Sequence, residues 1–245
     1  MTRYKIIVEY DGAGFVGWQR QDNGLGVQQA LEIAIGAFTG EAATVFGAGR
    51  TDSGVHALAQ VAHFDLSADL SVYNVCEAMN YHLKEQAVAV LNATIVDEEF
   101  HSRFSATGRS YEYRITNRRA PLVLQRGYSW QQRGDIDTDA MHEAAQVLIG
   151  KHDFTTFRAT NCQAESPVKT LNRLDVERHG EDIRVLVQAR SFLHHQVRNL
   201  VGTLMLVGRG KWTTEDLAAA LAARHRTAGG ETAPACGLYL SSVSY

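Results

Sequence analysis

The chain has 245 residues, of which 45% are hydrophobic and 21% charged, and this balance excludes disordered, collagen-like and low-complexity classes. No apolar run approaches the roughly 18 residues of a membrane helix, and the first residues, MTRYK, lack the apolar core of a signal peptide, so we expect a soluble, cytoplasmic protein. The net charge of −3 argues mildly against a nucleic-acid-binding protein, although a whole-chain sum does not say where the charge lies.

The first hundred residues alternate between strand and helix patterns. The predicted elements are, in chain order, strand 4–10, helix 27–38, strands 43–47 and 55–66, helix 70–83 and strand 87–96. Apolar residues at spacings of three, four and seven indicate the helix at 27–38, and Gly40 ends it. Alternating side chains indicate the strand at 55–66. This β-α-β-β-α-β order is close to the ferredoxin-like pattern.

A second set of elements follows residue 105. The predicted elements are strand 110–117, helix 139–149, a hairpin of strands 170–178 and 183–190, helix 192–207, and a helix capped by Thr213 or Thr214 that ends near Arg224. We therefore expect an α+β fold of two ferredoxin-like lobes, 1–105 and 106–245, with mainly antiparallel sheets. Residues 154–167 form an inserted loop in the second lobe. Two such lobes would leave a cleft between them, where ligand sites are often found.

Charge is segregated along the chain. Residues 101–126 hold six arginines and one acid, residues 183–214 hold five Lys or Arg and no acid, and residues 62–100 hold seven acids and one lysine. This pattern suits a polyanionic partner, and solvated strand and helix faces explain it equally well. If the partner is a polyanion, the candidate phosphate contacts include Arg109, Arg118 and Arg119.

The cysteines indicate no chemistry of their own. Cys76, Cys162 and Cys236 lie far apart and form no C-x-x-C pair, so the sequence supports neither a disulfide framework nor a structural zinc site. Cys162, in the predicted inserted loop, has no partner motif that would make it a nucleophile.

The sharpest local feature is the segment 47–56, GAGRTDSGVH. Its three glycines permit positive φ angles and the close approach of a ligand to the backbone. By itself, the segment is explained more simply as a tight turn in which Asp52 makes an Asx hydrogen bond. It is not a phosphate-binding P-loop, because no Gly-Lys-Ser or Gly-Lys-Thr follows at the required distance.

This segment and several others resemble the tRNA pseudouridine synthase A family. The run GRTD-x-GVHA at 49–57 is similar to the family's signature, whose aspartate is the catalytic residue. The other similar segments are EYDG at 9–12 with GWQRQ at 17–21, FSAT at 104–107 leading to Y-x-Y at 111–113, F-x-HH-x-VRN at 192–199, and GLYL at 237–240 with V-x-Y at 243–245. The resemblance covers essentially the whole chain. Ser53 departs from it, since the family commonly has a small apolar residue there.

The resemblance implies an enzyme that converts uridine to pseudouridine at positions 38, 39 and 40 in the anticodon stem-loop of tRNA. It further implies that the enzyme acts without metal or cofactor and as a homodimer. It assigns Asp52 as the nucleophile and Arg198 as its ion-pair partner. It places Tyr111 for stacking on the target base, and Arg50 is a candidate for contacting phosphate or helping to extrude the nucleotide.

The chemistry of the reaction is consistent with these residue types. The bond from ribose C1′ to N1 breaks and a bond from C1′ to C5 forms, and a carboxylate can divide this work by adding to C6 of uracil or by attacking or stabilising C1′. Burial raises the pKa of a carboxyl group, so we expect a cation near Asp52. Without the resemblance, Arg198 is explained as a surface charge on an amphipathic helix and Tyr111 as a core residue of its strand.

Two other functions remain open at this point. A non-catalytic RNA-binding protein would use Tyr111 and Tyr113 as stacking platforms, with Asp52 only a turn residue. A small-molecule hydrolase would use Asp52 with a histidine. The doublet His194-His195 is assigned to packing or RNA contact, because adjacent helical residues point about 100° apart and do not easily face one ion. His56 is expected to be structural.

Overall fold

The computed structural model describes residues Met1 to Tyr245. Contacts along the chain divide it into two compact units, residues Met1–Thr107 with Tyr239–Tyr245, and residues Gly108–Leu238. The division at residue 105 inferred from the sequence stays a prediction. The hydrophobic pattern of the sequence gave no sign that the C-terminal segment Tyr239–Tyr245 belongs with the first unit. No helix combines the length and the hydropathy that crossing a bilayer requires.

The secondary structure consists of strands, α-helices and short 3₁₀ turns. The strands are β1 (Thr2–Tyr10), β2 (Phe46–Gly47), β3 (His56–Leu66), β4 (Val88–Val96), β5 (Gly108–Asn117), β6 (Trp130–Gln132), β7 (Gly150–Asp153), β8 (Val168–His179), β9 (Asp182–Ala189) and β10 (Leu238–Ser244). The helices are α1 (Val27–Thr39), α2 (Val72–Leu83), α3 (Thr138–Ala145), α4 (Gln196–Gly208) and α5 (Thr214–Ala223). The mainly antiparallel sheet pairing expected from the sequence is confirmed, with β10 beside β3 and β6 beside β5 as the parallel exceptions.

In the first unit, β1 lies between β4 and β3, and β2 and β10 both pair with β3. Alternate residues of β1 enter the core, where Tyr4, Ile6 and Val8 are fully buried. Helix α1 buries the apolar stripe that predicted it, and Gly40 ends the helix in the left-handed conformation with φ 73°. The helix and its stop signal are therefore confirmed.

In the second unit, the sheet order is β5-β9-β8-β7, with β6 on the other side of β5. Helix α4 is buried on nearly every side, so it is the central helix of this unit's core rather than a surface helix. Thr213 caps α5 through a reciprocal capping box with Asp216, which confirms the predicted start of that helix.

Three predicted elements differ from the structure. The strand predicted at 43–47 is reduced to Phe46–Gly47. The predicted inserted loop, 154–167, begins with a buried 3₁₀ turn at Thr155–Phe157 that follows an unpredicted strand, β7. The helix predicted at 192–207 begins only at Gln196, because His195 adopts φ 62°, which no right-handed helix contains.

A buried histidine lies on β3 of the first unit. The side chain of His63 is 2% exposed, and its Nδ1 accepts the Ser102 N–H at 3.2 Å. Its ring lies 5.1 Å from the ring of Phe46 and 4.7 Å from that of His101. Burial, and next the charges of His101 and Arg3, lower the pKa of His63 to about 4.

Acid is therefore expected to destabilise the first unit through His63. The folded state keeps the ring neutral while the unfolded chain takes up a proton at the ordinary pKa of 6.5, so stability falls as the pH drops from 6.5 towards 4. The expected loss at pH 5 relative to pH 7 is about 2 kcal/mol of unfolding free energy. Denaturant unfolding of His63→Gln at both pH values should show most of this loss removed. Exposed His179→Gln serves as the control, and equal pH dependence in all three proteins would contradict the prediction.

Candidate active site

The segment 47–56 forms the loop that joins β2 to β3 in the first unit. Asp52 is half-buried in this loop and Arg50 is exposed. On the entry side, the Ala48 N–H donates to the Val61 carbonyl at 2.7 Å and the Gln60 amide donates to the Gly49 carbonyl at 2.8 Å. The backbone that leads into Asp52 is therefore fixed to β3.

The residue before Asp52 is anchored from a different direction. Thr51 is buried; its carbonyl accepts the Trp18 N–H at 3.0 Å, and its hydroxyl lies 2.8 Å from the Tyr10 hydroxyl. After Asp52, the Val55 N–H donates to the Asp52 carbonyl at 3.1 Å, and Gly54 supplies the positive φ of 77° that this turn requires. The position of Asp52 thus follows from hydrogen bonds on both sides of it.

Two glycines of the N-terminal segments allow the chain to pack directly on this loop. A Cβ at Gly17, whose φ is +112°, would lie 2.8 Å from the Thr51 carbonyl oxygen, and one at Gly12 would overlap the Val55 carbonyl. The similar segments at 9–12 and 17–21 therefore form the support of the Asp52 loop. Their sequence gave no sign of this role, because the contact joins residues about forty positions apart.

His56, which begins β3, is part of the same support. Its side chain is 2% exposed, with Nδ1 3.1 Å from the Gly12 nitrogen and 3.0 Å from an Asp11 carboxylate oxygen. Its ring stacks on that of Tyr239 in β10, with centroids 4.7 Å apart. This packing agrees with the structural role expected for His56.

The two tyrosines of β5 in the second unit differ in burial. Tyr113 is fully buried, its hydroxyl donates to the Pro234 carbonyl at 2.8 Å, and burial raises its pKa far above the ordinary value. Tyr111 is half-buried, with its ring edge-on to Phe192 at 5.1 Å between centroids. The expectation from periodicity that Tyr111 is a core residue fits Tyr113 instead. Of the two, only Tyr111 has exposed ring surface for a ligand.

Arg198 lies in the first turn of α4 and is half-buried. Its Nε donates to the Ala233 carbonyl at 2.8 Å, while its own carbonyl accepts the Ala233 N–H at 3.1 Å. This reciprocal pair fixes both the backbone and the guanidinium plane of Arg198. The explanation as a solvated surface charge is therefore wrong.

A buried polar network holds the segment that carries Ala233 against α4. Asn199 donates to the Phe157 carbonyl at 2.9 Å, and its Oδ1 accepts from the Thr232 hydroxyl at 2.7 Å and from Arg226 Nη2 at 3.1 Å. Asn199 is fully buried, and burial lowers the pKa of Arg226. Sequence reasoning missed Asn199 and Arg226 as supports of Arg198, although Asn199 lies within the similar segment at 192–199.

The histidine doublet lies before α4 rather than in it. The rings of His194 and His195 are 4.0 Å apart between centroids, and the His194 carbonyl accepts the Ala159 N–H at 2.9 Å. The argument that adjacent helical residues diverge by about 100° therefore does not apply to this pair.

The arginines of residues 101–126 do not share one environment. Arg109 is 8% exposed and its Nη1 donates to the Arg190 carbonyl at 2.6 Å, so little of its side chain is accessible, and its contact with phosphate stays a prediction. Arg114 pairs with Glu112 at 2.8 Å. Arg118 and Arg119 remain accessible, because they follow the end of β5.

Comparison with known proteins covers both units. The family model described as tRNA pseudouridine synthase matches residues 6–105 and 144–245. A relative from Rhodospirillum centenum, named tRNA pseudouridine synthase A, is 60% identical over 245 residues, with 100% of both chains covered. Relatives of the same name from Paramagnetospirillum magneticum and Brucella ovis are 58% and 56% identical, covering 100% of this chain and 96% and 98% of theirs. With matches of this extent across the whole chain, the protein belongs to the tRNA pseudouridine synthase family.

Proposed function

We propose that this member of the tRNA pseudouridine synthase family, an isomerase that acts on tRNA, modifies positions 38, 39 and 40 of the anticodon stem-loop with Asp52 as its nucleophile. The observation that carries the proposal is the Asp52 loop, in which hydrogen bonds fix the backbone before and after the carboxylate. A fixed backbone reduces the conformational freedom that the nucleophile must lose before it reacts.

The reaction is an isomerisation whose atoms balance without a co-reactant. The C1′–N1 bond breaks, uracil turns, C1′ bonds to C5, C5 loses its proton and N1 gains one. Asp52 forms a transient bond to C6 of uracil or to C1′, and both routes divide one difficult step into two easier ones. No metal or cofactor takes part in this scheme, so turnover is expected to persist in the presence of a chelator.

Arg198 is proposed to keep Asp52 ionised and oriented during this reaction. The Ala233 carbonyl already fixes Nε, so the guanidinium is preorganised before a substrate arrives. A planar guanidinium can hold a carboxylate through two parallel hydrogen bonds, which favours the charged form of the acid.

Arg198→Ala is expected to lower kcat by about a hundredfold and to change tRNA affinity far less. Single-turnover pseudouridine formation and filter binding measure the two effects. In this variant the Ala233 carbonyl loses its side-chain donor, while the Ala233 N–H still donates to the backbone carbonyl of residue 198. The thermal midpoint of Arg198→Ala should therefore be compared with that of Thr232→Ala, which loosens the same segment without removing the charge. An unchanged rate in Arg198→Ala would contradict the role.

Tyr111 and Arg50 are proposed to act on the target nucleotide. The base must leave its stack, which costs a few kcal/mol, and stacking on the accessible ring of Tyr111 recovers about 1–3 kcal/mol. Arg50 is exposed two residues before Asp52, so it is suited to contact the phosphate of the extruded nucleotide or to fill the space that the base leaves.

Release of tritium from C5-labelled uridine in tRNA tests the proposed reaction directly, because only formation of the C1′–C5 bond expels that hydrogen. Binding without release would support a non-catalytic RNA-binding protein instead. That alternative is already weakened, because Tyr113, the second of its two stacking platforms, is buried and bonded to Pro234.

The finer points of architecture and assembly belong to the same proposal. We propose ferredoxin-like lobes, supported in the first unit by the order β1-α1-β2-β3-α2-β4 with β1 between β4 and β3. We further propose a cytoplasmic homodimer, as the family resemblance implies. Gel filtration at low and high salt tests the dimer, and a monomer under both conditions would contradict it.

A further inference from the structure

A cluster of arginines lies at one edge of the second unit's sheet. Strands β5 and β6 are parallel, with Asn117 opposite Gln132 at their last paired position, so both strands end at the same edge. The residues that follow, Arg118 and Arg119 after β5 and Arg133 after β6, therefore emerge side by side. With Asn117, Gly134 and Asp135 they line an open cleft of about 550 Å³, which we call the arginine cleft.

The wall of the arginine cleft is fixed by the fold. The Asn117 amide donates to the Gln132 carbonyl at 3.3 Å and to the Gly134 carbonyl at 2.8 Å, which ties the two strand ends together. Arg118 donates to the Pro121 carbonyl at 3.1 Å, and its only carboxylate neighbour, Glu181, is exposed and 3.5 Å away. The backbone of the two strand ends and the guanidinium of Arg118 are thus held in place without a ligand.

The charge of the arginine cleft is only partly neutralised within the protein. Arg119 and Arg133 are exposed and have no carboxylate oxygen within 4.0 Å, and Asp135 is the one acid among the six lining residues. Guanidinium groups present several donors in a plane, an arrangement that matches phosphate oxygens. No aromatic or apolar side chain lines the cleft, so it is not suited to a base or an apolar ligand.

We propose that the arginine cleft binds a backbone phosphate of the tRNA at a distance from the nucleotide that reacts. This inference rests on the proposed function, which supplies the RNA. Asn117 lies six positions after Tyr111 in β5, which corresponds to about 20 Å along the strand. The contact therefore adds binding energy and fixes the register of the tRNA without touching the uracil.

The test measures tRNA affinity as a function of salt for Arg119→Ala, Arg133→Ala and the double variant. Each single variant is expected to bind full-length tRNA about 3- to 10-fold more weakly at about 0.1 M salt, with the slope of log affinity against log salt reduced by about 1. Asp135→Asn is expected to bind more tightly. Arg173→Ala is the matched control, since it removes an equal charge from β8 of the same unit, where Arg173 pairs with Asp175 and Glu177.

The proposal would be overturned if Arg119→Ala and Arg133→Ala bound tRNA with the same affinity and the same salt slope as the wild type and Arg173→Ala. A second outcome would also overturn it. If inorganic phosphate, at constant ionic strength, bound to the wild type but not to the variants, and the variants kept their tRNA affinity, the cleft would be a site for free phosphate. A tRNA that binds as expected but forms no pseudouridine would refute the proposed function and leave the arginine cleft in place.

Discussion

Asp52→Asn is expected to lower pseudouridine formation by at least about a thousandfold while leaving tRNA affinity within about twofold. The amide has the size and shape of the carboxylate, but it is neutral and not nucleophilic, so it removes a step of the reaction rather than a contact. The measurements are tritium release from C5-labelled tRNA under single-turnover conditions and filter binding of the same tRNA.

The hydrogen bonds described for this loop join the backbone of Ala48, Gly49, Thr51 and Val55 to their partners, and the acceptor for the Val55 N–H is the backbone carbonyl of Asp52, which asparagine keeps. The matched control is Ser53→Ala, which removes a 3.1 Å hydrogen bond from the neighbouring side chain to the Phe15 carbonyl and is expected to stay within about threefold of wild-type turnover. Retained turnover in Asp52→Asn would remove Asp52 from the mechanism, and lost tRNA binding would mean that the loop itself had changed.

Gly202→Ala is expected to destabilise the second unit by about 3 kcal/mol or more, although alanine normally stabilises a helix interior by about 1 kcal/mol relative to glycine. Gly202 lies in the buried helix α4, where the segment 230–233 crosses it backbone to backbone. A Cβ at Gly202 would overlap the Glu231 carbonyl oxygen and would lie 3.2 Å from the Ala233 nitrogen. Since backbone atoms cannot move aside as a flexible side chain can, the segment must shift.

Gly36→Ala in helix α1 is the matched control for this effect. The nearest atom to a Cβ there is the Glu41 carbonyl oxygen at 3.6 Å, an ordinary contact, so this variant is expected to be more stable than wild type by about 0.5–1 kcal/mol. Urea unfolding measures both changes. The Ala233 carbonyl holds Arg198, so a shift of the segment 230–233 should also lower the turnover of the Gly202→Ala protein that remains folded. Equal stability of Gly202→Ala and wild type would contradict the close approach.

Much of the secondary structure followed from the sequence because its signals are local. The apolar spacing of α1 with Gly40 after it, the cap of α5 at Thr213 and the hairpin of β8 and β9 each depend on residues a few positions apart. The resemblance also marked the segment around Asp52 from the sequence alone. It could not say what the segments at 9–12 and 17–21 do.

The tertiary structure decided which of several similar residues is accessible. In the sequence, Tyr111 and Tyr113 fall on the same face of one strand, and Arg109 and Arg119 fall in the same positively charged stretch. In the folded protein, Tyr113 and Arg109 are buried and bonded to carbonyls, whereas Tyr111 and Arg119 keep accessible surface. Helix α4 begins later than the sequence predicts, because His195 adopts the left-handed backbone conformation. Periodicity reports neighbours along the chain, while burial and hydrogen bonding depend on segments that meet only after folding, such as Pro234 with β5 and Arg190 with Arg109.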